Sequence, residues 1–314
     1  MASIRIGTRK SRLALWQSHH VADLLRQHYP DTTVELVEFT TKGDKILDKS
    51  LPSIGGKGLF TEELEQALLN GEIDCAVHSL KDLPTQEPFG LTVAAVPERA
   101  PVEDVLISKH KQGLSSLPDG AKIGTSSLRR AAQIRHVRPD MTIIDIRGNV
   151  PTRINKALDP DGDYDAIVLA RAGVGRLDMM DTVTQIFSPE MMLPAPGQGA
   201  IAIQSREDNA DIFEPLTHLP TLLATTAERA FLNRLQGGCS VPVAAYATYE
   251  NNIINFVGRV TSVDGQQWIE VTGEATALAQ TKPYIVAEEV GRYAARDAIA
   301  KGAKEILDEV KANS

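Results

Sequence analysis

Arginine side chains follow several predicted strands, where a pocket for a negatively charged group can form. In Ile123–Arg130 a strand leads through Thr-Ser-Ser into a helix, and Arg129 and Arg130 fall in its first turn. Free backbone N–H groups at a helix start favour an anion, whereas the helix dipole disfavours cations there. Two arginines at this position therefore indicate a bound anion, although Ser126 or Ser127 also fits the simpler role of helix N-cap.

The same arrangement recurs after two other predicted strands. Arg147 and Arg153 bracket the turn in RGNVPTR, and Arg9 and Ser11 lie in GTRKS after the first strand. Ligands of open α/β sheets bind at the carboxyl ends of the strands. We therefore expect a pocket for carboxylate or phosphate groups, although any one of these arginines taken alone is more typical of a solvated helix face.

The segment VHSLKDLPT, residues 77–85, also follows a predicted strand and offers an acid. Asp82 is the candidate acid or base, and His78, Ser79 and Lys81 precede it. A turn residue before Leu-Pro is the alternative, which this segment by itself favours.

Cys239 is one of only two cysteines in the chain and lies in LQGGCSVP, after a pair of glycines. A lone cysteine is usually a small buried hydrophobic residue. These eight residues alone favour that role.

Other common site chemistries find no support in the sequence. GGKG lacks the glycine spacing and the hydroxyl residue of a phosphate-binding loop, and no glycine pattern fits a dinucleotide. No cysteine–histidine set has zinc spacing, so we expect no metal, and no G-x-S-x-G motif is present.

The chain of 314 residues has a formal net charge of -8, yet two windows are strongly basic. Lys122–Lys156 holds eight Lys and Arg residues against two Asp residues, and the first twelve residues hold four basic residues and no acid. The acidic total argues against a nucleic-acid or anionic-membrane binder. A basic patch in an acidic protein instead favours a confined anion pocket.

Cysteine content and hydropathy indicate a cytoplasmic protein. Two cysteines cannot form a disulfide framework, and the first residues lack the apolar core of a signal peptide. No apolar run reaches the length of a bilayer span. We therefore expect a reducing, cytoplasmic setting and no membrane partner.

Strand and helix patterns alternate through the first two-thirds of the chain. The predicted strands are SIRIG, TVELVEF, IDCAVHS, AKIGTSS, TIIDIRG and YDAIVLARAG. The predicted helices cover about 11–28, run from about 60, cover 128–137 and run from 149. Repeated strand–helix units imply parallel or mixed sheets with helices on both faces. Residues 40–58 show no period and are predicted to form a long loop or lid.

The last hundred residues predict a small α+β domain. A helix at about 221–235 precedes three strand-like runs, and a closing helix runs from about 283. Cys239 lies at the corner between the first of these helices and the sheet.

Eight segments taken in order resemble the porphobilinogen deaminase family, also called hydroxymethylbilane synthase. They are GTRKSRLALWQ, GGKGLFTEELE, AVHSLKDLPT, GTSSLRRAAQ, RGNVPTR, LARAGVGRL, LPAPGQGAIAI and ERAFLNRLQGGCSVP. The resemblance spans nearly the whole chain. It implies a transferase of porphyrin and haem biosynthesis that condenses four porphobilinogen molecules head to tail into hydroxymethylbilane and releases ammonia. It also implies a dipyrromethane cofactor, made from substrate and held by a thioether.

The resemblance implies a role for each residue that matches a family motif. Cys239 would anchor the dipyrromethane covalently, and Asp82 would be the catalytic carboxylate near the pyrrole nitrogens. Cofactor-binding residues would be Ser79, Lys81, Ser127, Arg129, Arg130, Arg147 and Gly148. Substrate-binding residues would be Arg9, Ser11, Phe60, Arg147, Arg153 and Arg176, with residues 42–58 as a lid. Guanidinium groups suit the substrate's acetate and propionate because they form paired charge-assisted bonds.

Two arginines depart from the family pattern, and two others carry an expectation about stability. Arg12 stands where the family has proline, and Arg171 stands where some members are uncharged, so their roles stay open. Because Arg129 and Arg130 lie where the helix dipole disfavours a cation, we expect replacement of either by leucine to leave thermal stability little changed or slightly raised.

The implied fold class is α/β, with two periplasmic-binding-protein-like lobes that have mixed sheets and a hinge. A small C-terminal α+β domain with a three-stranded antiparallel sheet follows. The implied domains are 1–97, completed by about 198–215, then 98–195, and 217–314. We expect a monomer whose partners are porphobilinogen and the growing pyrrole chain, with no nucleic acid. The alternative function is a non-catalytic dicarboxylate-binding protein on the same lobes, which would leave Cys239 unexplained.

Overall fold

The structure is a computed structural model that describes residues 3–45, 60–236, 241–278 and 282–312. The described chain divides into two compact units. The first comprises the residues up to Ala100 together with Gly199–Leu222, and the second comprises Pro101–Gln198 and the residues from Leu223 onward.

The described residues form thirteen strands and nine α-helices. The strands are β1 Ser3–Arg9, β2 Thr33–Phe39, β3 Cys75–Ser79, β4 Leu91–Ala95, β5 Asp104–Ser108, β6 Lys122–Gly124, β7 Thr142–Ile144, β8 Ala166–Ala170, β9 Gln185–Ile186, β10 Ile201–Arg206, β11 Val243–Glu250, β12 Ile253–Thr261 and β13 Trp268–Thr276. The helices are α1 Arg12–His28, α2 Lys42–Lys45, α3 Glu62–Leu69, α4 Leu128–Val137, α5 Val150–Leu158, α6 Arg171–Gly175, α7 Leu219–Arg234, α8 Pro283–Ala300 and α9 Ala303–Ala312.

The first unit contains a mixed sheet with strand order β2-β1-β3-β10-β4. β1 is parallel to β2 and β3, whereas β10 is antiparallel to β3 and β4. Val21 and Leu25 of α1 pack on one face with Ile6, and Leu64 of α3 belongs to a second cluster that includes Ala76. Because β1 and β3 are parallel, the residues that follow them emerge at the same edge of the sheet.

The second unit contains a similar mixed sheet with strand order β7-β6-β8-β5-β9. β6 is parallel to β7 and β8, whereas β5 is antiparallel to β8 and β9. Side chains of β5 alternate, so that Leu106 joins Ile134 of α4 in one cluster and Val105 joins Ile154 of α5 in another. Since β5 runs against β8, its first residue, Asp104, pairs with Ala170 at the edge where the parallel strands end.

The second unit also contains an antiparallel sheet of strand order β11-β12-β13. Its hydrophobic core includes Phe231 of α7, Phe256 of β12, Val290 of α8 and Leu307 of α9. The rings of Phe231 and Phe256 lie 5.3 Å apart between centroids. These helices therefore cover the sheet with apolar side chains.

The strand orders confirm the predicted fold class of two mixed α/β sheets and a three-stranded antiparallel sheet. The prediction of a single closing helix was wrong, because two helices, α8 and α9, are separated by a turn. Gly302 in this turn has a φ of 100°, in the left-handed region, which interrupts the helix. The three-domain division and the hinge stay predictions. The predicted lid at 42–58 begins with α2, and its residues from 46 onward lie outside the described residues.

The packing of α7 against α8 depends on a residue without a side chain. A Cβ atom at Gly291 would clash with the backbone carbonyl of Ala227. We expect Gly291→Ala to lower the free energy of unfolding by about 1–3 kcal/mol, because neither backbone can move without disturbing the core. Gly175→Ala is the control, since its Cβ would meet only Met180 atoms at 4.0 Å. Equal thermal midpoints for the two variants would contradict the close crossing.

Candidate active site

A buried carboxylate lies beneath the arginine pair at the start of α4. Asp104 is 0% exposed, and Arg129 and Arg130 are 5% and 7% exposed. Arg129 Nη1 donates to Oδ2 of Asp104 at 2.7 Å, while Arg130 Nη2 and Nε donate to Oδ1 at 2.7 and 3.0 Å. Gln198 Nε2 donates to the same Oδ1 at 3.0 Å. The two guanidiniums are thus held from below by one carboxylate.

Electrostatics keeps Asp104 ionised despite its burial. Burial alone raises the pKa of this carboxyl, but attraction to Arg129 and Arg130 outweighs burial and holds the pKa well below its ordinary value. The expectation that either arginine is dispensable for stability was therefore wrong. Replacement of either arginine by leucine leaves buried acceptors without their donors. They are an oxygen of Asp104 and the carbonyl of Leu193 for Arg129, and an oxygen of Asp104 and the carbonyl of Val168 for Arg130. Unsatisfied buried acceptors cost more than an unfavourable helix dipole.

The start of α4 is tied to the end of the neighbouring strand by serines. Ser127 is the N-cap, and its Oγ accepts a hydrogen bond from the backbone N–H of Arg130 at 3.4 Å. Ser126 Oγ donates to the carbonyl of Ile146 at 2.7 Å. Because Ile146 immediately precedes Arg147, this bond fixes the two arginine-bearing turns relative to each other.

The turn between β7 and α5 holds two more of the predicted residues together. Gly148 has a φ of 118°, and a Cβ there would lie 2.9 Å from the side chain of Thr152. Arg153 Nε donates to the carbonyl of Gly148 at 2.7 Å, and Lys156 Nζ donates to the carbonyl of Arg147 at 3.2 Å. The turn therefore requires glycine at position 148, and the side chain of Arg153 is hydrogen-bonded to the backbone of that glycine.

Arg171 and Arg176 both follow β8 but differ in environment. Arg171 Nη1 donates to Oε1 of Glu103 at 2.9 Å, so this residue, whose role the sequence left open, forms an ion pair. Arg176 directly follows α6 and is half-buried. Burial lowers the pKa of Arg176 to about 10, which leaves the guanidinium charged at neutral pH.

In the first unit, Arg9 and Ser11 follow β1 as predicted. The guanidinium carbon of Arg9 lies 4.3 Å from the centre of the Phe60 ring, a cation–π contact. Ser11 is the N-cap of α1, and its Oγ accepts a hydrogen bond from the backbone N–H of Ala14 at 3.2 Å. Phe60 and Arg9 are thus neighbours, although their sequence positions are far apart.

The segment after β3 presents Asp82 on a tight turn. Leu80–Asp82 form one turn of 3-10 helix, and the N–H of Leu80 donates to the carbonyl of Ala200 at 3.0 Å. Asp82 is exposed, and Lys81 is half-buried. The position of Asp82 agrees with both interpretations of the sequence, a turn residue and a candidate acid or base, because the turn exposes its carboxylate.

Buried side chains support this turn from behind. Gln17 of α1 is 3% exposed, and its Nε2 donates to Ser79 Oγ at 2.9 Å. His78 is buried, and burial lowers its pKa to about 4, so its imidazole is neutral at neutral pH. His78 is therefore not a cation at this turn, and the one carboxyl side chain of residues 77–85 is that of Asp82.

Of the two cysteines, Cys75 is buried in the sheet of the first unit. Cys239 lies outside the described residues. Cys75 belongs to β3, is 0% exposed and packs in the cluster of Ile6 and Val21. Burial raises the pKa of the Cys75 thiol far above its ordinary range, which makes it unreactive.

Sequence reasoning missed the buried residues that hold the arginines and Ser79. Asp104 binds both guanidiniums, and Gln198 donates to Asp104. Gln133 binds the backbone of Leu193, whose carbonyl accepts from Arg129, and Gln17 donates to Ser79. The sequence signal for Asp104 is an acid directly before the apolar run VLIS, so it precedes a strand, whereas the arginine motifs follow strands. Asp104 begins an antiparallel strand, so it reaches the same edge from the opposite direction.

Comparison with known proteins identifies the family. A profile described as "Porphobilinogen deaminase, dipyromethane cofactor binding domain" matches residues 4–214, and one described as "Porphobilinogen deaminase, C-terminal domain" matches residues 222–299. The chain belongs to the porphobilinogen deaminase family. The porphobilinogen deaminase of Desulfitobacterium hafniense is 51% identical over 99% of this chain and 98% of its own length. That of Syntrophomonas wolfei is 46% identical over 99% of this chain and 100% of its own length.

Membership of the porphobilinogen deaminase family makes the chain a transferase and confirms dipyrromethane as its cofactor. Solved structures with a partly similar trace include the methionine-binding protein MetQ, at 15% identity and a TM-score of 0.42, over 68% of this chain and 89% of that protein. Another is the aliphatic sulphonate-binding protein SsuA of Escherichia coli, at 18% identity and a TM-score of 0.39, over 75% of this chain and 71% of that protein.

The donor set of the second unit fits the chemistry of dipyrromethane. The two rings of this group carry acetate and propionate side chains, which need cationic hydrogen-bond donors. Arginines 129, 130, 147 and 153 supply planar guanidiniums at one edge of a sheet, where Gly148 keeps the turn free of a side chain. Within the described ranges, no three His, Cys, Asp or Glu side chains are grouped to hold a metal ion. Over the same ranges, no helix has both the length and the hydropathy of a membrane span.

The Asp104 cluster yields a prediction about stability. Asp104→Asn removes the charge that compensates Arg129 and Arg130, so we expect a loss of about 3–5 kcal/mol in the free energy of unfolding at neutral pH. The pKa of Asp104 is lower in the folded protein than in the unfolded chain, where it is about 4. The ionised carboxylate therefore contributes its full stabilisation above about pH 4, and this contribution decreases as the pH falls toward the folded-state pKa. The difference between wild type and Asp104→Asn is expected to shrink over the same range.

Asp140→Asn is the matched control, because Asp140 pairs with Arg138 at a partly exposed site. Urea unfolding at neutral pH separates the two variants by the size of the loss, which we expect to be much smaller at the exposed pair. The series at acidic pH then follows Asp104→Asn alone, because Arg138 also lowers the pKa of Asp140, to about 2. A pH-independent difference between wild type and Asp104→Asn would contradict an ionised Asp104.

Proposed function

We propose that the chain condenses four porphobilinogen molecules head to tail into hydroxymethylbilane and releases ammonia, as a step of porphyrin and haem biosynthesis. The observation that carries the proposal is the cluster of Arg129 and Arg130 on buried Asp104 in a member of the porphobilinogen deaminase family. Such a cluster keeps guanidiniums rigid and charged at a sheet edge. A product that gains an acetate and a propionate with every ring requires such donors.

In each unit, arginines are proposed to bind carboxylates of the cofactor or of the substrate. In the second unit, Arg129, Arg130 and Arg147 bind cofactor carboxylates together with Ser127 and Gly148, and Arg147, Arg153 and Arg176 bind substrate. In the first unit, Arg9, Ser11 and Phe60 bind substrate, and Ser79 and Lys81 bind cofactor. The support in the first unit is the Arg9–Phe60 contact, which presents a flat cationic and aromatic surface suited to a pyrrole ring bearing acids.

Asp82 is the proposed catalytic residue. Porphobilinogen that loses ammonia becomes a cation whose charge spreads onto the ring nitrogen, and a carboxylate beside that N–H stabilises the charge. The free α-carbon of another pyrrole then attacks this cation. That attacking ring becomes positive and must lose the proton on its α-carbon to regain aromaticity, and a carboxylate accepts this proton or passes it to water. Arginine can do neither, because it is already positive and keeps its proton. The exposed position of Asp82 on its turn supports this role.

Cys239 is the proposed anchor of the dipyrromethane, which when bound supplies the pyrrole end from which a chain can grow. The support is indirect and concerns the other cysteine. Cys75 is fully buried in β3 among apolar side chains, so two pyrroles attached to its sulfur would have no room. Cys239, by contrast, follows two glycines, which have no side chains.

The remaining expectations belong to the same proposal. We infer a cytoplasmic monomer whose partners are porphobilinogen and the growing chain, without nucleic acid. The acidic net charge of -8 supports the absence of nucleic acid. A non-catalytic dicarboxylate binder is not favoured, because the matched family is enzymatic and carries its own cofactor.

The anchor is tested by intact-mass measurement of purified variants. Cys239→Ala is expected to lack the covalent pyrrole adduct, because no other reactive thiol remains, whereas Cys75→Ala is expected to keep it. Ehrlich's reagent on the denatured proteins provides an independent colour test for bound pyrrole. A wild-type protein without adduct or colour would sink the proposed function, and an adduct on Cys239→Ala would sink only the anchor.

The catalytic role of Asp82 is tested with two substitutions assayed at equal cofactor occupancy. Asp82→Asn keeps the shape but removes the charge, so we expect hydroxymethylbilane formation to fall by at least about 10²-fold. Asp82→Glu keeps the charge but displaces it, so we expect a slow enzyme that still carries cofactor. Near-normal condensation by a fully loaded Asn variant would reduce Asp82 to a turn residue.

A further inference from the structure

An arginine of the C-terminal sheet is buried against the middle of α4. Arg259 of β12 is 4% exposed, and its guanidinium carbon lies 4.1 Å from the centre of the Trp268 ring. Its Nε and Nη2 donate to Oε2 of Glu270 at 2.9 and 2.5 Å. Its Nη1 donates to Oε1 of Gln133 at 2.6 Å. The side chain thus joins the antiparallel sheet to the helix that begins with Arg129.

Arg259 and its partner Gln133 together hold a loop segment, residues 190–194, at two points. Arg259 Nη2 donates directly to the carbonyl of Glu190 at 3.0 Å. Gln133 pairs with the backbone of Leu193, since its Oε1 accepts from the Leu193 N–H at 2.9 Å and its Nε2 donates to the Leu193 carbonyl at 3.1 Å. The C-terminal sheet adds a third point, because the N–H of Ala245 donates to the carbonyl of Pro194 at 3.0 Å.

The segment in turn orients Arg129. The Leu193 carbonyl accepts a hydrogen bond from Arg129 Nη1 at 2.8 Å, and Asp104 accepts from the same nitrogen at 2.7 Å. These two acceptors account for both hydrogens of Nη1 and therefore fix the plane of the guanidinium. If the segment shifts, Arg129 must turn about Asp104.

We propose that Arg259 is a positioning residue for the dipyrromethane site, which it serves by fixing residues 190–194 and through them the guanidinium plane of Arg129. This inference rests on the proposed role of Arg129 in binding cofactor carboxylates. Paired bonds to a carboxylate depend on the direction of a planar donor, so a rotated guanidinium binds more weakly even though its charge is unchanged. In this proposal Arg259 acts only through its contacts with Gln133 and Glu190.

The test follows cofactor assembly rather than turnover. Cofactor-free protein is incubated with porphobilinogen, and the covalent adduct is measured by intact mass over time. For Arg259→Leu we expect the half-saturating porphobilinogen concentration to rise about tenfold at a similar maximal rate, because the donors are present but misdirected. A variant that is merely less folded would instead show a lower amplitude at every concentration. Unchanged half-saturation would overturn the proposal.

A double-mutant cycle asks whether Arg259 acts through Arg129. In an Arg129→Lys background, whose ammonium has no plane to orient, Arg259→Leu is expected to change half-saturation less than about twofold. Independent effects that multiply in the double variant would contradict the proposal. If Arg259→Leu does not fold, Arg259→Lys replaces it in the cycle. Lysine keeps a cation beside Glu270 but lacks the planar set of guanidinium donors.

Arg135→Gln is the matched control. Arg135 Nη1 also joins α4 to the C-terminal region, because it donates to the carbonyl of Val263, in the turn between β12 and β13, at 2.8 Å. This bond involves neither Gln133 nor residues 190–194. We expect the half-saturating porphobilinogen concentration of Arg135→Gln to match that of wild type. An equal rise of this concentration in Arg135→Gln and Arg259→Leu would mean that any contact between α4 and the C-terminal region affects the site, and would contradict a specific role of Arg259. Failure of wild type to form any adduct would reject the proposed function instead.

Discussion

The attraction between Asp104 and two guanidiniums is the constraint on which the proposed site depends. A carboxylate that is 0% exposed costs several kcal/mol to bury, and only close, hydrogen-bonded cations offset that cost. Arg129 and Arg130 supply those cations, and Gln198 occupies a further lone pair. The start of α4, the end of β8 and the loop before β10 are therefore held around a single side chain.

The mixed character of the sheet makes this arrangement possible. In a wholly parallel sheet, the edge where strands end receives only residues that follow strands. β5 runs antiparallel to β8, so its first residue reaches that edge and places an acid among the arginines. In the first unit, β10 is likewise antiparallel to β3, and Ala200, just before it, accepts the hydrogen bond that begins the turn bearing Asp82. Each unit thus uses an antiparallel strand to support residues that follow parallel ones.

Sequence patterns predicted the strands and helices that carry motifs, because apolar periodicity and arginine-bearing turns coincide there. Ser127 as N-cap of α4 and the helix at 128–137 are confirmed examples. β4, β5 and β10 escaped prediction, since short apolar runs such as VLIS do not reveal their partners or direction. Asp104 and Gln133 escaped for a related reason. Their roles depend on contacts with residues 25 to 126 positions away, which no local spacing encodes.

The charge balance of the Asp104 cluster has a consequence for how the proposed site would hold carboxylates. Two arginines without a counterion would present two positive charges to any nearby anion. With Asp104 ionised, the cluster presents one net charge while keeping two sets of directional donors. The direction of the donors, more than their total charge, would then decide which carboxylates fit. A covalently anchored cofactor would not need strong attraction to stay bound, so its arginines would be free to act as guides for orientation.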